Sequence, residues 1–376
     1  MDINIIIVIV MACFAVFGAV DRIFGNKLGA GNKFEEGFMA MGPLAIAMVG
    51  ILVMAPVIAR VLSPVVVPVF ESIGADPSLF AGIFLATDMG GTPLAEEMAK
   101  DPQAALFSGL IVGSMLGTTI VFTIPMAFEI APDDKPAVSR GVLIGLITIP
   151  LGCLAGGAIA GFNMVMVVKN TIPVTVISLL IALGMWKKRD MLTRGFIVFG
   201  KIIMIVSTVG LILGILDALA GFKPVPDIAP ISSAFKIVAN IAIVLAGAFP
   251  MVHILTRILR VPLMIVGEKF GMNREAAGGL LTSLANSIPT FEALKSMNER
   301  GKVVNMAFAV SGAFILGDHL GFVAGYNESM LAPLLLGKLV AAVSALIIAL
   351  ITTRDLNVER DGLKVVGNEQ TQVNAE

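Results

Sequence analysis

The sequence predicts an all-α polytopic membrane protein, an inverted-repeat transporter with about nine full spans and two broken, re-entrant segments. Three observations predict it. The chain is 57% hydrophobic and only 14% charged, with a mean hydropathy of +0.94, against about 25% charge in an average soluble domain. Apolar runs of about 20 residues, the length that crosses a bilayer, recur along the chain. A stretch of the first half also recurs in the second, where the topology turns it over.

The elements follow in order. The opening run, MDINIIIVIVMACFAVFGAVDRIF, lacks the basic stretch of a cleaved signal and reads as a retained span over 3–23. Further spans are expected over 38–62, 103–128, 139–162, 170–187, 196–217, 233–259, 302–325 and 331–351. Two segments, about 64–99 and 262–297, are semi-apolar but cut by Gly, Pro and polar residues, so they read as segments that enter the bilayer, break and return. The polar stretch after Thr352 reads as a disordered cytoplasmic tail. The expected organisation is a first membrane repeat over 1–162, a linking span over 163–195, a second, inverted repeat over 196–351 and a tail over 352–376.

Loop charge orients the chain. If both broken segments return to the side they entered, the N-terminus lies outside and the C-terminus inside. Cytoplasmic loops and span ends then hold 19 Lys and Arg residues, among them Lys27, Lys33, Arg257, Arg260 and Arg274, and the outside holds five. That asymmetry follows the positive-inside rule. If the second broken segment crossed fully, the Lys187–Arg194 cluster would lie outside, which fits worse. The repeat is legible as GSMLGTTIVF (113–122) against AFILGDHLGF (313–322), an offset of 200 residues. With the span at 103–128 running inward and that at 302–325 outward, the repeats are inverted, and such architectures bind substrate near the midplane between broken helices.

Composition excludes other classes. Basic and acidic residues number 26 and 27, so nothing points to nucleic acid. Cys13 and Cys153 are lone thiols in apolar runs and make neither a disulfide framework nor a metal cluster. No phosphate loop, nucleophile elbow or metal-ligand spacing is present, so no cofactor, metal or catalytic residue is expected.

The chemistry concentrates at two intramembrane acids. In FLATDMGGTPLAEEMA (84–99), Asp88 interrupts an apolar run and Gly90 and Gly91 follow, freeing backbone carbonyls. A carboxylate at bilayer depth costs about 2.5–3.5 kcal/mol on insertion scales, so it is kept for a reason. Asp88 could bind a cation or merely cap the short helix after it; the cost of burial favours binding. Asp318 and His319, in LGDHLGF, lie about two-thirds along a clean span, as a site or as a structural pair. The repeat sets Thr118 opposite Asp318 and Asn286 opposite Asp88. With Thr87, Gly90 and Gly91 beside them, the two acids and their neutral partners suit a small hydroxylated cation and suit an anion poorly. Lys201 and Lys338 sit about two turns inside their spans, where they could snorkel; Lys338 could also neutralise an acid. Gly109, Gly113 and Gly117, and Gly152 with Gly156, form small-residue packing ridges.

Several of these motifs carry a family resemblance. AVDRI (19–23), FEEGFMAMG (34–42), AGIFLATDMGG (81–91), GSMLGTTIVFTIP (113–125), LANSIP (284–289) and RGKVVNMAFAVSGAFILGDHLGF (300–322) closely resemble the ethanolamine-utilisation transporter family over about residues 3–351. The resemblance implies inner-membrane uptake of ethanolamine, a protonated amine with one hydroxyl, and no enzyme activity. It leaves open pure facilitation against proton- or sodium-coupled symport, and a monomer against a homo-oligomer. A membrane-embedded enzyme using Asp318 and His319 as acid and base, or a channel, stand as competing readings of the same residues.

Overall fold

Residues 3–357 are described by the computed structural model, apart from the side chains of Arg260 and Asn357, and among them every regular element is helical. The tail expected over 352–376 opens with a short helical turn, Arg354–Asn357, and the rest of it lies outside the described residues. Fourteen helices organise the chain. The first five are α1 (Ile3–Ile23), α2 (Ala30–Ser72), the short α3 (Leu79–Phe84) and α4 (Thr92–Met98), and α5 (Pro102–Ile130). α6 (Lys135–Ile159), α7 (Met164–Lys187), α8 (Arg189–Ala220) and α9 (Ile231–Lys269) follow. The short α10 (Arg274–Ala285) and α11 (Ile288–Ala293) then precede α12 (Glu299–Gly312), α13 (Asp318–Tyr326) and α14 (Leu331–Thr352). Eight helices are long and apolar enough to cross a membrane. The expected ninth span, 302–325, is divided between α12 and α13.

Two long helices outrun their expected limits. α2 continues to Ser72 through Pro56, Pro64 and Pro68, and α9 continues to Lys269 through Pro250 and Pro262. Each proline removes one backbone donor, but neighbouring groups can recover a freed turn. Pro64 leaves only the Arg60 carbonyl without its helical donor, and the ladder on either side continues. The break in the first semi-apolar segment therefore begins only after residue 72, later than 64–99 suggests. Helix starts follow local chemistry: the side chains of Asn163, Asn273 and Asn298 accept from backbone N–H groups at the openings of α7, α10 and α12.

Both broken segments are real, and they are built alike. Between α3 and α4, Leu85 and Ala86 are extended (ψ 143° and 150°), and residues 87–91 form a wide turn with Gly90 at φ 89°. That conformation suits glycine, and a Cβ there would run into Ile51. Between α10 and α11, Asn286 is extended (φ −154°, ψ 133°). Each second half-helix opens with a proline in its first turn, Pro93 and Pro289. Hydroxyls staple both breaks: Thr87 Oγ1 meets Thr92 Oγ1 at 3.0 Å, and Thr282 Oγ1 meets Thr290 Oγ1 at 2.7 Å.

The interior is centred on α5. Every residue from Phe107 to Gly117 is buried, and the helix is wound wide over 107–117 and 119–123. Its expected small-residue ridge lets the first broken segment lie flat against it. A Cβ at Gly109 would come within 2.7 Å of Thr92 Cα, one at Gly113 within 3.3 Å of the Thr87 nitrogen, and one at Gly117 would strike the Leu85 carbonyl. Gly152 on α6 meets Gly337 on α14 in the same manner, with a virtual Cβ 2.7 Å from the Gly337 oxygen. Outer helices show the opposite pattern: α1 exposes Ile9 and Val16, and α8 exposes Ile205 and Ile212, the apolar faces that lipid would cover.

Candidate functional site: a buried charged cluster between broken helices

The third break changes the reading of Asp318. Residues 313–317 leave the helical path, with Phe314 at φ 62°. The backbone N–H groups of Phe314 and Leu316 donate to the carbonyls of Ser283 and Leu284 at 3.0 and 2.8 Å. Gly317 packs so closely on the Ala285 carbonyl that no Cβ fits. The Asp-His pair therefore opens a half-helix, α13, and does not interrupt a continuous one. The signal was Gly317, whose need for close approach is invisible in a hydropathy profile.

Asp318 and His319 then point into different surroundings. Asp318 lines a cavity of about 880 Å³, together with Asn286, Lys27, Glu36 and His253. Asn286 also accepts from the Ile288 N–H at 2.9 Å, so its side chain orders the break it lies in. His319, 1% exposed, turns into the protein. Its Nε2 lies 3.4 Å from Thr118 Oγ1 and 3.9 Å from Asp88 Oδ1. Asp88 interacts electrostatically with both Asp318 and Lys338. Asp88, Thr118, Asp318 and His319 are thus brought together from three separate parts of the chain.

The capping alternative for Asp88 finds no support in the geometry. The N-cap position of α4 is Gly91, and no side chain caps that helix. Gly91 instead donates its N–H to the Ala86 carbonyl at 2.9 Å, closing the turn that carries Asp88. Thr87 is fully buried, and its hydroxyl is engaged with Thr92. Thr87, Gly90 and Gly91 shape the turn that presents Asp88.

Lys338 is the residue whose place the sequence understated. It is 1% exposed and lies within α14. Its Nζ donates to the Ser114 carbonyl of α5 at 2.6 Å and lies 3.0 Å from His319 Nδ1. With Lys338 as the donor, Nδ1 accepts and the ring proton sits on Nε2, facing Thr118 and Asp88. Thr118 donates its own proton to the Gly113 carbonyl at 2.9 Å and can accept from the imidazole. Phe314 flanks the ring, with centroids 5.3 Å apart. Lys201, by contrast, is exposed, as a snorkelling lysine would be.

The cavity and the far side of the cluster are distinguishable. The cavity opens at the Lys27 end of α1. At the other end of α1, Asn4 accepts from the Ala332 N–H at 2.8 Å, near where α13 finishes. There the Tyr326 hydroxyl donates to Glu96 Oε2 at 2.5 Å, joining α13 to α4. Glu96 remains exposed while it makes this contact.

Broken half-helices that meet around half-buried acids, inside a shell of long apolar helices, define a polytopic membrane protein. Comparison with known proteins narrows this class. A family profile described as "Ethanolamine utilisation protein, EutH" matches residues 3–352. A protein of Listeria monocytogenes serotype 1/2a (strain 10403S) named "Probable ethanolamine permease EutH" is 52% identical over 93% of this chain and 94% of its own length. "Uncharacterized protein YxeR" of Bacillus subtilis (strain 168) is 46% identical over 92% and 94% of the two chains. The "Probable ethanolamine permease EutH" of Escherichia coli (strain K12) is 44% identical over 93% and 95%. The chain belongs to the ethanolamine-utilisation EutH family. No solved structure matches it.

Proposed function

We propose that the chain takes up ethanolamine, as the protonated amine, across the cell inner membrane by alternating access, with Asp88 and Asp318 neutralising the ammonium. The observation that carries this reading is that Asp318 and Asn286 line a cavity while the adjacent His319 reaches Thr118 and Asp88 where broken helices converge. A carboxylate about 4 Å from an ammonium contributes about 4 kcal/mol at an effective dielectric constant of about 20. Thr118 and Asn286 are the neutral groups for the substrate hydroxyl, and the turn built on Thr87, Gly90 and Gly91 presents Asp88. The names of the relatives support ethanolamine as cargo, and support a transporter rather than an enzyme or a channel.

The element order supports an inverted repeat. Each half contributes a span, a long helix and two half-helices around a break, then α5 and α6 in the first half and the divided α12–α13 and α14 in the second, with α7 between the halves. On this reading the first repeat covers 1–162, the link 163–195 and the second repeat 196–351. With the N-terminus outside and the C-terminus inside, the cavity faces the cytoplasm, because Lys27 and Arg257 line it. The described conformation is then the inward-open one, and the Glu96–Tyr326 contact seals the outside. His319 beside Asp88 favours one second reading, proton-coupled symport.

The test is uptake of labelled ethanolamine into proteoliposomes holding purified protein, with and without an imposed proton gradient. Saturable uptake supports the reading, and its acceleration by inward proton flow selects symport. No uptake above protein-free vesicles, with folded protein confirmed, refutes it.

A further inference from the structure

Lys338 has no role in the proposed transport site so far, yet its side chain is buried within the membrane core. A snorkelling lysine runs to the nearest membrane surface; this one binds the Ser114 carbonyl within the buried stretch of α5. Burying an ammonium costs several kcal/mol unless opposite charges compensate. The compensating groups are on the page: Asp88 interacts with it electrostatically, and His319, 3.0 Å away, connects the two. The cluster therefore contains two carboxylates, one ammonium and one imidazole held neutral by accepting at Nδ1. In their ordinary ionised forms these groups leave one negative charge unmatched.

Resting on the transport reading above, we propose that Lys338 is a resident ammonium that sets the charge of the cargo, so that the site accepts one monovalent amine and rejects a divalent one. Together with Lys338, the two carboxylates present one net negative charge to the substrate. Without Lys338, two carboxylates face the substrate site, and a short doubly charged diamine becomes the matching ligand. A lysine that only tied α14 to α5 would affect folding or rate, and would leave preference among amines untouched.

The experiment measures uptake of labelled ethanolamine and of labelled diaminopropane by full-length protein in proteoliposomes. Wild-type protein is compared with Lys338→Met alone and with Lys338→Met combined with either Asp88→Asn or Asp318→Asn. In Lys338→Met, ethanolamine uptake falls about a hundredfold, because one partner of a buried charge set has been removed, while diaminopropane uptake rises above the wild-type level. Removing one acid as well restores the balance, and at least one double variant returns ethanolamine uptake to within about tenfold of wild type. Insertion is checked by chromatography of each variant in detergent. Unchanged amine preference in Lys338→Met, failure of both double variants to exceed it, or failure of Lys338→Met to insert overturns the inference alone. Wild-type vesicles that take up neither amine overturn the transport reading, and the inference with it.

Discussion

Asp318→Asn separates function from structure at the proposed site. Asp318 lies at the cavity floor, where a cation arriving through the cavity meets it. At about 4 Å and an effective dielectric constant of about 20, the carboxylate–ammonium attraction is about 4 kcal/mol. Asparagine keeps a dipole of the same shape, so the expected loss is about 2–4 kcal/mol, or about thirtyfold to a thousandfold in uptake at low substrate. The structural cost is smaller. Asp318 is the acid in the first turn of α13, a placement that stabilises a helix by about 0.3–1 kcal/mol. The assay is the initial rate of labelled ethanolamine uptake against concentration, beside thermal unfolding of the same preparation in detergent. A melting temperature near wild type with strongly reduced uptake is expected. Uptake within about twofold of wild type refutes the role of Asp318, since so small a change is worth well under 1 kcal/mol.

Three further outcomes follow from the same geometry. Gly90→Ala forces a Cβ into Ile51 from a left-handed backbone, and should lower stability by about 2–4 kcal/mol, read as a lower melting temperature; an unchanged melt contradicts the turn described between α3 and α4. Asp134→Asn removes one partner of Lys302 Nζ, 2.7 Å away, in a pair only 11–12% exposed. It should cost about 1–3 kcal/mol of stability, less than a fully buried pair because Glu299 still holds Lys302 at 2.6 Å. Tyr326→Phe deletes the hydroxyl that binds Glu96, and should shift the closed-to-open balance at that face about fivefold, for about 1 kcal/mol. Labelling of a cysteine placed near residue 327 reads the shift, and unchanged labelling argues that this contact is no gate.

Much of the architecture is legible in the sequence, because apolar runs of spanning length have few alternatives in a bilayer. The two broken segments are legible too, since Gly90 and the prolines after each break leave the backbone little choice. Their limits are not. Pro64 and Pro68 look like breakers but lie within a continuous helix, since each forfeits only one hydrogen bond of the ladder. The third break is hidden for the opposite reason: AFILGDHLGF is apolar enough for a span, and only the contact between Gly317 and Ala285 explains the interruption. At the candidate site, chain-internal similarity links Thr118 to Asp318, and the fold brings Thr118 to the adjacent His319. Lys338 could not be located this way. Its position two turns into a helix fits snorkelling or a buried pair, and only the direction of its side chain separates them.

The central claim is that ethanolamine crosses the membrane through a site neutralised by Asp88 and Asp318. Uptake of labelled ethanolamine by proteoliposomes holding either wild-type protein or the Asp88→Asn/Asp318→Asn double variant tests it most directly. The account predicts saturable uptake in the wild type and none above protein-free vesicles in a double variant that still inserts and folds. Saturable ethanolamine uptake at the wild-type rate in that double variant would contradict it.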